Sequence, residues 1–172
     1  MNIMKTEYTI AFDAERCVAC YGCVVACKTW RERPLGLSCR RMEKIWQKED
    51  SMPRLRHASV ACRHCVDPDC MKVCFTGAIS KNEDGIVLVD EEKCVACQAC
   101  KSACPFDVPQ FPENGKMTKC DMCFGRYDMA AEQPPCVASC PTHALTLKKV
   151  SIEEKEKAED SLAALLASGA EW

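Results

Sequence analysis

The sequence predicts an α+β fold of two small domains, the inner inserted into the outer, with long loops and a short C-terminal helix. Three observations carry this. Cysteine makes up 17 of the 172 residues, and sixteen of the cysteines fall into four tight groups of four. Two of those groups sit in matching surroundings, "FDAERCVACYGCVVACK" and "VDEEKCVACQACKSACP", the mark of an internal repeat. Strand-like segments lie near opposite ends of the chain, "YTIAF" before the first group and "ALTL" after the last, and read as a closing pair.

The composition is that of a globular chain, 48% hydrophobic and 28% charged. A formal net charge of −2 gives no reason to expect nucleic acid. So much cysteine in a short chain ordinarily signals a disulfide-stapled secreted domain. Here the C-x2-C runs are poor disulfide geometry, and Met1–Phe12 has neither an apolar signal region nor a twin-arginine pair. No apolar run approaches the roughly 18 residues that span a bilayer; the longest is Leu162–Ala167. The expectation is a protein without direct membrane insertion, cytoplasmic or exported folded in complex with a signal-bearing partner.

Group one is Cys17, Cys20, Cys23 and Cys27; group three, Cys94, Cys97, Cys100 and Cys104, has the same C-x2-C-x2-C-x3-C spacing. Group two is Cys62, Cys65, Cys70 and Cys74, and group four is Cys120, Cys123, Cys136 and Cys140, with wider central gaps. A C-x2-C-x2-C run turns tightly, aiming three thiolates at one centre while backbone N–H groups face its sulfides. In two-cluster ferredoxins the fourth cysteine ligates the neighbouring [4Fe–4S] cluster, so such motifs come in pairs. A proline after it starts a turn, as at Cys104-Pro105 and Cys140-Pro141; Cys27-Lys28 and Cys74-Phe75 depart from this.

The linear order suggests the pairing. Between groups two and three, "FTGAISKNEDGIVLVDEEK" reads as a hairpin turning at Asp84-Gly85. Those groups therefore form an inner ferredoxin-like domain, residues 62–104. One cluster falls to Cys62, Cys65, Cys70 and Cys104, its neighbour to Cys94, Cys97, Cys100 and Cys74. Groups one and four then form the outer ferredoxin-like domain, residues 1–61 plus 105–150. Its expected sets are Cys17, Cys20, Cys23 and Cys140, and Cys120, Cys123, Cys136 and Cys27. The total is four [4Fe–4S] clusters.

Other readings give way to this one. Taken alone, the C-x2-C-x12-C-x3-C spacing of group four suits a zinc ribbon equally well; beside three ferredoxin-type groups, with Cys27 needing a second site, the cluster reading prevails. No cysteine sits with a His and Asn/Asp arrangement suggesting a nucleophile, so no catalytic residue is expected. Cys39 reads as a free, semi-buried thiol, and His64 as a local hydrogen-bonder or a cover over a cluster. Residues 28–61 hold nine Lys/Arg against four Asp/Glu, read chiefly as a solvated loop and otherwise as charge offsetting the clusters or docking an acidic partner. Trp30 and Trp46 are expected to shield a cluster. The tail, residues 151–172, should be an amphipathic helix with Leu162, Leu165 and Leu166 on one face and Ser151 and Glu154 as a capping box.

With these residues in hand, the sequence resembles the iron–sulfur subunits of the dimethyl sulfoxide reductase family of molybdenum and tungsten enzymes. The resemblance rests on "CRHCVDPDCMKVCFTGAI", "DGIVLVDEEKCVACQACKSACPFDVPQF", "KMTKCDMCFGR" and "PPCVASCPTHAL", and covers roughly residues 8 to 148. It implies a non-catalytic subunit with four [4Fe–4S] clusters in a row. Such a subunit passes electrons between a large bis-pterin catalytic subunit and a membrane quinol subunit or soluble partner. The alternative is a polyferredoxin subunit of a soluble formate dehydrogenase or hydrogenase complex.

Overall fold

The structure, a computed structural model, describes residues 5–49, 52–113 and 115–169. The first four residues of the expected outer domain and the last three of the tail lie outside them. Short helices and two-stranded ribbons make up the protein, the mixed α+β content expected from sequence.

Two ribbons repeat each other. β1 (Thr6–Phe12) pairs antiparallel with β6 (Leu145–Ser151), setting Phe12 opposite Leu145. β4 (Ile79–Lys81) pairs antiparallel with β5 (Val87–Val89), setting Ile79 opposite Val89. Leu145 and Ile79 each stand five residues after the last cysteine of a group, while Phe12 and Val89 each stand five before the first. The hydrogen bonds match as well. The Asp13 amide donates to the Ala144 carbonyl at 2.8 Å, and the Asp90 amide to the Ala78 carbonyl at 2.8 Å. Each aspartate then accepts two following amides on its Oδ1, Asp13 from Glu15 and Arg16, Asp90 from Glu92 and Lys93. These are Asx turns, the acidic turns of the sequence repeat, and they deliver the backbone from strand to cysteine run.

The segment before group two is not a solvated loop. β2 (Arg40–Glu49) and β3 (Met52–Ala61) form a long antiparallel hairpin, with Arg40 opposite Ala61. Its root is buried at Val60, Ala58 and Ile45, and its free end around Met52 is exposed. Charge counting missed this because the apolar residues of β2 are few and divided between the two faces of the ribbon: Met42 packs against one core cluster and Ile45 lies in another.

The helices are short: α1 (Gly22–Trp30), α2 (Asp69–Lys72), α3 (Ala99–Ala103) and α4 (Pro135–Ala138). α3 stops where Pro105 follows, since the residue before a proline is pushed out of the helical region; Cys104 is extended at φ −86, ψ 116. At the matching point of α1, Lys28 permits another turn, and the helix runs on to Trp30. α5 (Ile152–Ala167) starts at the expected capping box: the Glu154 amide donates to Ser151 Oγ, and the Ser151 amide donates to the Glu154 carboxylate. Its apolar face brings Leu162 into a core with Ile45, Ala58, Val60, Phe106 and Val108. Burying such a leucine contributes roughly 2 kcal/mol. Two further apolar clusters, one around Ile10, Ile86 and Leu145 and one around Ile79, Val87 and Met117, contain cysteines or pack against them. The core thus surrounds most of the cysteines, with Cys20 and Cys97 exposed at its edges.

Candidate metal centres

Each cysteine run is shaped by residues in left-handed backbone. In every group the second residue after the first cysteine has positive φ: Ala19 at 52°, His64 at 52°, Ala96 at 58° and Met122 at 57°. A non-glycine residue pays about 1–2 kcal/mol for this. The turn rotates an amide back onto the cysteine sulfur: His64 N lies 3.4 Å from Cys62 Sγ, and Met122 N lies 3.4 Å from Cys120 Sγ. Groups one and three share a second such position, Tyr21 at 61° and Gln98 at 63°, each the N-cap of the helix that follows.

The structure brings thiols of different groups together. Burial pushes the Cys17 thiol up, and its thiol neighbours Cys23, Cys140 and Cys20 push it further. Burial likewise raises Cys65, beside Glu159, Cys62, Cys104 and Cys70, and Cys100, beside Cys97, Cys94 and Cys74. Cys123 is pushed up to about 11 by burial, then by Asp121 and Cys136. Cys27 is raised by its hydrogen bond with Cys39, then by burial and by Cys120 and Cys136. Thiols of groups far apart in sequence thus share neighbourhoods, Cys17 with Cys140, Cys65 with Cys104, Cys100 with Cys74 and Cys27 with Cys120. Cavities agree: one is walled by Cys17, Cys20, Cys23 and Cys140, and another by Cys74, Cys94, Cys97 and Cys100.

The last cysteines of groups two and four have a common setting. Against the burial that would raise it, Cys74 is held below an ordinary thiol by the Thr76 hydroxyl and by the amides of Ile79, Ala78 and Thr76. Cys140 is held down against burial in the same way by the Leu145 amide, the Thr142 hydroxyl and the amides of Ala144 and Thr142. The two turns share their geometry: Gly77 and His143, three residues after each cysteine, are both left-handed and donate to the cysteine carbonyl at 3.1 and 3.2 Å. Thr76 and Thr142 were not singled out from sequence, although "CFTGAI" and "CPTHAL" carry the signal.

Several expectations need correction. Trp30 and Trp46, expected to shield a cluster, are only half-buried, at 49% and 43% exposed, and Trp46 borders a hollow with Phe106, Leu166 and Gly169. Cys39 is not semi-buried but 7% exposed, against Cys27. His64 bonds far along the sequence, its Nδ1 accepting the Val87 amide at 2.9 Å. Burial and the cations Lys119, Lys155 and Arg63 keep its ring neutral.

The donor set fits [4Fe–4S] clusters. Four thiols converge from two groups, amides and hydroxyls point at the sulfurs, and buried thiols with raised proton affinity exchange protons for metal. Among the described residues no three His, Cys, Asp or Glu side chains stand close enough to hold a single ion. A zinc site would draw its sulfurs to roughly 2.3 Å from one centre.

Comparison with known proteins agrees. Residues 54–150 match a 4Fe-4S dicluster domain. The sequence is 40% identical to the B subunit of the anaerobic dimethyl sulfoxide reductase of Escherichia coli (strain K12), over 94% of this protein and 82% of that one. It is 37% identical to the thiosulfate reductase electron transfer subunit PhsB of Salmonella typhi, over 91% and 83%. It is 36% identical to the formate dehydrogenase iron-sulfur subunit of Wolinella succinogenes, over 83% and 82%.

Proposed function

Since the protein belongs to the iron–sulfur electron-transfer subunits of the dimethyl sulfoxide reductase family, we propose that it holds four [4Fe–4S] clusters in a row. It relays single electrons between a molybdenum or tungsten bis-pterin catalytic subunit and a quinol-linked or soluble redox partner. The ligand sets are Cys17, Cys20, Cys23 and Cys140; Cys27, Cys120, Cys123 and Cys136; Cys62, Cys65, Cys70 and Cys104; and Cys74, Cys94, Cys97 and Cys100. The first two sets belong to the outer domain, residues 1–61 plus 105–150, and the last two to the inserted domain, residues 62–104.

One observation carries this reading: thiols of groups distant in sequence, such as Cys17 and Cys140, share one neighbourhood. The repeated ribbons support the nesting, since β6 and β1 do for groups four and one what β4 and β5 do for groups two and three. Neighbouring thiols of different sets support an order for the row. Cys23 and Cys27 are buried one turn apart on α1, Cys120 has Cys62 among its neighbours, and Cys70 has Cys100. These neighbours support the order in which the sets are named above. The two end sets contain the exposed thiols, Cys20 and Cys97.

When bound, each cluster supplies reversible one-electron storage. The protein's own task is to hold, space and shield the sites, which asks for no acid, base or nucleophile. No helix among the described residues is long and apolar enough to cross a membrane.

The test is anaerobic purification with bound partners, followed by metal analysis. About sixteen irons per polypeptide, with molybdenum or tungsten in the large partner, is the expected result. The variant Cys97→Ala should lose or convert one cluster and stop electron flow to the physiological partner, leaving dye-linked catalysis intact. Zinc in place of iron, or undiminished physiological flow in that variant, overturns the proposal.

A further inference from the structure

Arg40 opens β2 and is 3% exposed. A guanidinium keeps its proton at any ordinary pH, so burial cannot be relieved by neutralisation. Its Nη1 donates to the Ser59 carbonyl at 3.4 Å and to Ser59 Oγ at 3.0 Å, across the β2–β3 ribbon. Nε is buried with no partner. Among the described residues no carboxylate pairs with it. Two neutral oxygens do not offset a buried unit charge, and an uncompensated one is strongly destabilising.

The ionisable groups around Arg40 are the like-charged Arg63 and a set of thiols that come from two different sites. Cys136, Cys120 and Cys27 belong to one set, and Cys23 belongs to the other. α1 makes this possible: Cys23 and Cys27 are its buried residues, four apart and so on one face, and β2 packs against that helix. Ser59 extends the link, its Oγ lying 3.5 Å from Cys23 Sγ.

The inner sites are treated differently. Arg63 is also buried, at 8% exposure, and its Nη1 donates to the Ile10 carbonyl at 2.8 Å. Arg40 itself opposes its charge, but its neighbours also include the Glu159 carboxylate beside Cys65 and Cys62, so that charge is partly offset by an acid. Arg40 has no such acid.

We infer that Arg40 is a counter-charge shared by the two outer sites, raising the reduction potentials of both clusters together. The sign follows from Coulomb's law at low dielectric: a nearby cation favours the cluster form carrying the extra electron. Arg40 is thus a positioning and tuning residue, not a ligand. The inference rests on the four-cluster reading, in which Cys23 and Cys27 serve separate clusters.

The test compares Arg40→Gln with Arg40→Lys in the purified complex, by redox titration followed by electron paramagnetic resonance, with iron measured alongside. Arg40→Gln keeps a donor for Ser59 but loses the charge. Two of the four midpoint potentials should move negative while the other two hold. Arg40→Lys, which keeps the charge, should shift the same two much less. Unmoved potentials, a uniform shift of all four, or equal shifts in both variants overturn the inference. Should Arg40→Gln lose iron, Arg40→Lys decides: full iron with near-native potentials supports the counter-charge, and the same loss overturns it. A native complex with far fewer than about sixteen irons sinks the four-cluster reading, whereas a fully loaded one with unmoved Arg40→Gln potentials sinks only this inference.

Discussion

The ammonium of Lys155, fully enclosed by protein, lies 2.9 Å from the carboxylate of Glu7, 148 residues away in sequence. Lys81 reaches the same oxygen at 2.8 Å, and Lys155 also donates to the Gly85 carbonyl at 3.3 Å. One buried carboxylate therefore joins α5, β1 and the turn of the inner hairpin. Removing one partner of a buried ion pair strands the other charge and costs about 3–5 kcal/mol. Because Lys81 remains on Glu7, Lys155→Met should fall at the lower end, about 3 kcal/mol, measured by chemical unfolding of the loaded protein. It should cost more than Lys81→Met, since the Lys81 side chain is 13% exposed and Lys155 is not exposed at all. Equal losses would show that burial of the ammonium contributes nothing extra.

The same pair gives stability a defined dependence on pH. Burial alone would raise Glu7, but Lys81 and Lys155 hold it below its ordinary value of 4.5. A carboxylate lowered by folding contributes stability that is complete above its unfolded pKa and is lost as pH falls through the folded one. Glu7→Gln mimics the protonated form. The melting-temperature gap between native protein and Glu7→Gln should stay constant from neutral pH to about 5 and close below 4.5. A gap that persists unchanged well below that point contradicts the ionic role.

Gly85 meets this network from the other side. Its φ is +80°, and a Cβ there would lie 2.5 Å from the Glu7 side chain. Gly85→Ala combines left-handed strain of about 1 kcal/mol with displacement of a buried carboxylate. The expected loss is about 2–4 kcal/mol. Combining it with Glu7→Ala should recover the steric part, which a double-mutant cycle reads directly.

What could be read in the sequence was whatever repeats. Cysteine spacing, the acidic turns at Asp13 and Asp90, the Asp84-Gly85 hairpin and the capping box of Ser151 are all local signals, and the structure has them where expected. The β1–β6 pairing was legible because both strands flank cysteine runs that match another pair. The β2–β3 hairpin was not, because its few apolar residues are spread over both faces among charged ones and the segment has no counterpart elsewhere in the sequence. Arg40 and Lys155 were hidden for a related reason. A lysine or arginine in a charged stretch is solvated by default, and only tertiary packing shows that Arg40 faces thiols and Lys155 faces Glu7.

Cys39 offers a clean contrast with the grouped cysteines. It is buried against Cys27, the two sharing a hydrogen bond, and Arg33 and Arg31 are nearby. It belongs to none of the crossed sets. Cys39→Ala should leave iron content and all cluster signals in place and cost about 1 kcal/mol of stability. Cys27→Ala should remove or convert a cluster. Loss of iron in the Cys39 variant would make this residue a ligand and break the assignment of Cys27.

Thr76 and Thr142 should act on one cluster each. The Thr76 hydroxyl is 3.6 Å from Cys74 Sγ and the Thr142 hydroxyl is 3.8 Å from Cys140 Sγ. Hydrogen bonds to cluster sulfurs stabilise the more negative, reduced form and raise the potential. A bond worth about 0.5–1 kcal/mol corresponds to roughly 20–40 mV for a one-electron couple. Thr76→Val should therefore lower a single midpoint potential by about that amount, and Thr142→Val should lower a different one, the double variant showing both shifts independently. In the proposed row Cys74 and Cys140 belong to sets at opposite ends, so the two signals should not be neighbours in spin coupling. Shifts falling on the same cluster would contradict the crossed ligation on which the row depends.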